Sequence, residues 1–313
     1  MRTAPRVILM TVVAALAAAS LPLASAPLPD GQDPQVVSPL GSTFRSRPDT
    51  DGAIAKADAA LAADPGNLDL LVAAARARDV ALQFSGSIPL YTKAIAAAPG
   101  DVRAYRFRGH RYISTRRFDL ALVDLRKAAS LAPSSFDVFY HLGLALFLTG
   151  QFADAAKAYR TCLDTKAPAG SLPEGWRDCS TVAKDDDARV GVTDWLYRSL
   201  GRAGRADEAR QLLAGVTEGM AVKENDAYYR ALLFYKGLRT EAQVIDAAAF
   251  KENAGVTIGY GVANFYLVQG KVDQACTLFR RLVQDEAHWN AFGFIGAETE
   301  LARKDAGRPC AAR

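Results

Sequence analysis

ALAADPGN at residues 60–67, AIAAAPGD at 94–101 and KAASLAPS at 127–134 set Pro65, Pro99 and Pro133 at a constant interval of 34 residues. Each proline follows an alanine-rich run of helical character. Proline lacks an amide proton and clashes with the carbonyl four residues back, so it stops each run at the same phase. A fourth copy, CLDTKAPA at 162–169, carries Pro168 one residue late. A fixed period of this length marks one supersecondary unit repeated along the chain.

The interior of the unit repeats as well. Gly109 and Tyr112 fall on a first helix, and Phe118, Ala121, Leu125 and Ala128 on a second. The matching residues of the next unit are Gly143, Leu146, Phe152, Ala155, Tyr159 and Cys162; those of the preceding one are Ala75, Arg78, Ser87, Tyr91 and Ala94. A small residue on the first helix lets the two helices cross closely, and the large residue at Tyr91, Leu125 or Tyr159 occupies the space beside it. Looser copies begin at Gly204–Ala209 and Gly270–Ala275, which match Gly150–Ala155, and another covers Asp226–Ala248.

This pattern resembles the tetratricopeptide-repeat (TPR) family over roughly residues 50–303. The resemblance implies an all-α, right-handed superhelical solenoid of about six antiparallel helix pairs. A helix at 52–63 precedes them, and one at 287–303 reads as an end cap. In the cap, Trp289, Phe292, Ile295 and Leu301 lie on one side, with Glu298, Glu300, Arg303 and Lys304 elsewhere. Residues 165–188 (TKAPAGSLPEGWRDCSTVAKDDDA) break the register. Insertions in repeat proteins map to loops on one face, often the binding face.

Arg2 and Arg6 precede an apolar run from Val7 to about Leu23, with small residues at Ala24 and Ala26. Residues 1–26 therefore read as a signal peptide, and the protein as exported to the bacterial periplasm. Residues 27–48 hold Pro27, Pro29, Pro34, Pro39 and Pro48 without apolar periodicity, and read as a flexible linker. The repeat domain spans 49–303 and a tail 304–313. No later stretch is long and apolar enough to span a membrane. A formal charge of +4, or +2 without Arg2 and Arg6, is too small for nucleic-acid binding.

Four cysteines in an exported chain favour disulfides. They allow three pairings, with free buried thiols as the alternative. The favoured pairing joins Cys162, which ends a helix, to Cys179 in the insertion just beyond, pinning the loop, and Cys276 to Cys310, tying down the C-terminus. No residues stand at metal-ligand spacing, and no cofactor motif is present. His110, His141 and His288 form no catalytic arrangement, and the sequence holds no nucleophile elbow or phosphate-cradling loop. The protein is expected not to be an enzyme.

In TPR proteins the first helices line a concave groove that takes peptides or partner helices. The resemblance puts Arg76, Arg103, Arg106, His110, Tyr140 and His141 there, a set suited to an acidic or carboxylate-bearing protein partner. The family's carboxylate clamp uses two Asn, two Lys and an Arg; the corresponding residues here are Val72, Arg76, Phe107, Asp137 and His141, so that clamp is not carried over. The expected function is a non-catalytic interaction scaffold in the cell envelope. The alternatives are a self-assembling structural envelope protein or an enzyme built on the 165–188 insertion.

Overall fold

The computed structural model describes residues 33–245, 252–303 and 310. The expected signal peptide, residues 27–32 of the expected linker and the tail apart from Cys310 lie outside the described residues.

Six helix pairs follow one another: α2 (Leu68–Val80) with α3 (Phe84–Ala97), α4 (Val102–Ser114) with α5 (Phe118–Leu131), and α6 (Phe136–Leu148) with α7 (Phe152–Asp164). After α8 (Cys179–Val182) come α9 (Asp186–Arg202) with α10 (Ala206–Leu212), α11 (Asp226–Tyr235) with α12 (Glu241–Val244), and α13 (Asn253–Val268) with α14 (Val272–Leu282). Helix α1 (Ala53–Ala63) precedes the pairs and α15 (Phe292–Ala302) follows them.

The prolines do what their phase predicts, and the residues after them start the next unit. Asn67, Asp101 and Ser135 each stand two positions beyond a repeat proline and cap α2, α4 and α6 with a side-chain oxygen. The close crossings fall where expected. A Cβ added at Gly109 would meet Leu125 Cγ at 2.8 Å, and one at Gly143 would meet Tyr159 Cζ at 2.5 Å.

The turn inside each pair needs one residue in the left-handed region. Gly150, Gly204, Gly237 and Gly270 supply it in the last four pairs, but Leu82 (φ 55°) and Arg116 (φ 60°) supply it in the first two. A side chain there costs about 1 kcal/mol, and both side chains are put to use. Leu82 is buried in the main core with Phe44, and Arg116 reaches Glu298 of α15.

That contact shows how the stack is closed. Helix α15 packs on α13 and α14, and its other side meets the N-terminal repeats. Arg116 Nε donates to Glu298 Oε2 at 2.6 Å, and Arg116 Nη2 to the Trp289 carbonyl at 2.9 Å. Trp289 meets Phe84 of α3 edge-on at 5.6 Å between ring centres. Arg202 of α9 donates to Glu300 at 2.7 Å. Glu298 and Glu300 are each only 1% exposed, so the expectation of a cap with a polar outer face is corrected. The apolar stripe alone could not reveal that arginines from distant turns would meet these carboxylates.

The flexible linker is corrected too, over residues 33–48. Pro34–Val37 (β1) pairs antiparallel with Thr43–Arg45 (β2). Proline is tolerated as the first residue of β1, while Val36, Val37, Thr43 and Phe44 favour extended backbone. Phe44 anchors the hairpin, stacked on Trp289 at 5.4 Å and edge-on to Phe294 at 5.5 Å. Ser38 Oγ donates to Glu298, and the Ser85 amide donates to the Gln35 side chain at 2.8 Å.

Both disulfides join the pairs expected from the sequence. Cys162 is bonded to Cys179 (S–S 2.05 Å) and Cys276 to Cys310 (1.98 Å). Among the described residues no helix is long and apolar enough to cross a membrane.

Candidate concave interaction site

From α6 onward the first helices of the pairs pack against one another through large polar and aromatic side chains. Tyr140 Oη meets Tyr228 Oη at 2.6 Å and accepts from Trp195 Nε1 at 3.0 Å. Asp194 and Arg198, both on α9, form an ion pair at 2.5 Å with almost no exposure, and Tyr235 Oη donates to Asp194 at 2.9 Å. Tyr140 is half-buried, its hydroxyl engaged by Tyr228 and Trp195 and its ring centre 5.5 Å from that of His141.

Around α2 and α4 the surface stays open. Phe107, half-buried on α4, has two guanidiniums near its ring: Arg76 of α2 lies 4.5 Å from its centre, and Arg106 lies 4.9 Å away. Arg76 is exposed and has no carboxylate within ion-pair distance among the described residues. Arg106 is buried, pairs with Asp137 of α6 at 2.9 Å, and leaves Nε without a hydrogen-bond partner. Burial pushes the Arg106 guanidinium down to about 10, against the pull of Asp137.

The insertion supplies the next wall. Trp176 meets the edge of Phe107 at 6.0 Å and lies 5.9 Å from the Arg106 guanidinium. Leu172 and Trp176 pack on Val102, Ala128, Ala132 and Val138. The segment is fastened to α6 by Cys179 N donating to Ser134 O (2.7 Å), Phe136 N donating to Arg177 O (3.0 Å) and the Cys162–Cys179 bond. The sequence reading singled out the insertion but not Phe107, whose phase matched the place of a clamp residue it lacks.

One turn along, His110 of α4 and His141 of α6 bring their rings to 4.5 Å between centres, and Phe292 of α15 lies 5.2 Å from His110 and 5.8 Å from His141. His141 is buried and its Nδ1 is 2.7 Å from the Asp137 carbonyl oxygen. His110 is half-buried. Burial, then Arg111, His141, Arg106 and Arg76, hold His110 well below the usual imidazole range; burial and Arg106 do the same for His141.

Of the six groove residues expected, Arg76, Arg106, His110 and His141 are thus brought together, with Tyr140 beside His141 and its hydroxyl engaged by Tyr228 and Trp195. Arg103 stands apart, engaged by Asp69 at 2.7 Å and Asp101 at 2.8 Å. Arg108 and Arg111 are likewise tied to Asp124 and Asp79. Among the described residues, no three His, Cys, Asp or Glu side chains are grouped to hold a metal.

A family model described as tetratricopeptide repeat matches residues 108–170, from the second half of α4 through α5, α6 and α7. A Saccharomyces cerevisiae protein named small glutamine-rich tetratricopeptide repeat-containing protein 2 is 33% identical over 78 residues, 25% of this chain; the match spans 22% of that protein's length. Among solved structures, a tetratricopeptide repeat protein from Parabacteroides merdae aligns at 15% identity over 79% of this chain and 91% of its own, with a TM-score of 0.47. YrrB, described as a TPR protein with an unusual peptide-binding site, aligns at 13% identity over 76% and 97%, with a TM-score of 0.44. MamA aligns at 19% identity over 61% and 87%, with a TM-score of 0.43. Helix pairs stacked at a 34-residue period, crossing at Gly109 and Gly143 and stopped by phased prolines, agree with the family match over their central part. Residues 108–170 match the tetratricopeptide-repeat family, and the helix pairs before and after them continue the same arrangement.

Proposed function

We propose that the protein is a non-catalytic scaffold of the bacterial cell envelope that holds an acidic segment of a partner protein against α2, α4 and the insertion. The observation that carries this reading is the ladder Arg76–Phe107–Arg106–Trp176, with Arg76 exposed and lacking a carboxylate of its own. A guanidinium over an aromatic ring keeps its in-plane donors available to an anion. Aromatic and arginine side chains also dominate binding energy at interfaces. Export is supported by the Arg2/Arg6 leader pattern and by two disulfides, which persist in oxidising compartments.

The test places a photo-crosslinking residue at Phe107 and, as a control, at Lys127 on α5, in intact cells. A partner captured at Phe107, absent at Lys127, and lost with Arg76→Glu supports the reading. Identical capture with and without Arg76→Glu sinks it.

A further inference from the structure

Arg76 and Arg106 lead to a pair of histidines that the scaffold reading leaves unused. We propose that His110 and His141, with Arg76 and Arg106 beside them, form an oxyanion site that takes up a proton when a carboxylate enters. A carboxylate-bearing partner would then be held more tightly as the pH falls. The proposal rests on the groove reading for its partner, and its chemistry can be tested separately.

The geometry leaves this cluster short of an acceptor. His110 Nδ1 is buried with no hydrogen-bond partner, and so is Arg106 Nε on a residue only 8% exposed. His141 Nδ1 donates to the Asp137 carbonyl, so in the neutral ring Nε2 holds the lone pair. Helix α2 contributes Arg76 and Asp79, α4 contributes Arg106 and Arg111, and α6 contributes Asp137 and the Tyr140 hydroxyl. Helix α15 contributes the uncharged ring of Phe292. Asp137 is engaged by Arg106; Asp79 Oδ2 accepts from Tyr91 Oη at 2.6 Å and lies 3.7 Å from Arg111, while its buried Oδ1 has no hydrogen-bond partner. Three guanidiniums therefore face two carboxylates. Phe292 is also the first residue of α15, which begins at Ala291 without a side-chain cap and adds partial positive charge. The site opens to the groove through half-buried His110 and exposed Arg76.

Burial and the neighbouring guanidiniums disfavour the charged form of both imidazoles. An anion at hydrogen-bond distance reverses the sign of the nearest interaction and stabilises an imidazolium. The proton comes from solvent and adds to a ring-nitrogen lone pair; no other bond changes. By linkage, one coupled proton weakens binding by up to about tenfold for each unit of pH between the midpoint of the free state and the raised midpoint of the bound state.

The experiment follows the histidine Cε1–H resonances of the full chain from about pH 5 to pH 8, alone, with an oligoglutamate peptide and with inorganic sulfate. Peptide affinity is measured over the same range. The proposal expects both ligands to raise the His110 or His141 midpoint, and peptide affinity to fall with rising pH. That slope should flatten in His110→Gln and in His141→Gln. Peptide binding that is independent of pH, with unmoved histidine midpoints, overturns the proton-coupled site and leaves the groove reading standing. Midpoints that respond to sulfate while the peptide fails to bind do the opposite. No response to either ligand ends both. The wild-type resonances decide the matter even if a glutamine variant fails to fold.

Discussion

Replacing Glu298 by alanine tests whether the stack is closed by its C-terminal helix. The Glu298 carboxylate is 1% exposed, accepts from Arg116 Nε at 2.6 Å and also from Ser38 Oγ. The Arg116 side chain is 7% exposed; besides Glu298 it donates to the carbonyls of Ser114 and Trp289, and it lies 5.2 Å from the Phe44 ring. Truncation leaves a buried guanidinium without its carboxylate, a loss of about 3–5 kcal/mol. The abandoned Ser38 hydroxyl adds roughly 1 kcal/mol. Removing the cation as well, in Glu298→Met with Arg116→Gly, should recover most of that loss. It also relieves the left-handed strain at residue 116, worth about 1 kcal/mol. Repeat stacks open piecewise, so urea denaturation is paired with hydrogen exchange on the hairpin (34–45) and α15. Exchange should accelerate in both segments while α6 and α7 stay protected. A single mutant within about 1 kcal/mol of the parent, with unchanged hairpin protection, would refute the reasoning, because an exposed ion pair behaves that way.

Gly143→Ala should destabilise by about 1–3 kcal/mol, since the new Cβ meets the rigid Tyr159 ring at 2.5 Å. Gly109→Ala should cost less, because Leu125 can change rotamer; equal losses in thermal melts would contradict that account. Reducing Cys162–Cys179, a sequence separation of 17, should cost about 3 kcal/mol and loosen the Trp176 wall, read as a change in Trp176 fluorescence. Stability should also fall with acidification. His110 and His141 are held below the usual 6.5 in the folded protein, so their neutral form stabilises it above that value. That contribution is lost as pH drops from 6.5 toward the lower folded value. Denaturant midpoints of His110→Gln should be flatter over this window, and an unchanged slope would count against buried neutral imidazoles.

The repeat was legible because one local device, proline two residues before a capping side chain, recurs at Pro65, Pro99 and Pro133 with the same phase. The cysteine pairs were legible because each joins a helix to a segment close behind it in the chain. What could not be read was contact between distant parts. Phe44 meets Trp289 and Arg116 meets Glu298 across most of the chain, and neither pairing leaves a periodic signal. Leu82 and Arg116 did leave one: they stand where Gly150 stands in the third pair, and a side chain at a left-handed turn position calls for a reason. Arg76 and Arg106 come together at Phe107 as their shared phase suggests, while the surroundings of Tyr140 depend on Tyr228 and Trp195 arriving from later repeats.

Closure bears on what the scaffold can hold. An open six-pair stack would offer a groove along its whole length, whereas here the first helices beyond α4 pack against one another through Trp195, Arg198 and Tyr228, with Phe292 against the histidines. Adjacent helices pack about 8–10 Å apart, so a surface limited to α2, α4 and the Trp176 wall is roughly 20–30 Å long. An extended segment advances about 3.3–3.6 Å per residue, which limits the bound stretch to about six to nine residues. A segment that short draws its affinity from a few anchors on a surface that is already ordered. The hairpin clasp and the Cys162–Cys179 bond supply that order at the two borders of the site, by fixing Phe292 on one side and Trp176 on the other. The features that shorten the groove therefore also make it rigid. That combination suits recognition of one short acidic motif better than enclosure of a long partner helix.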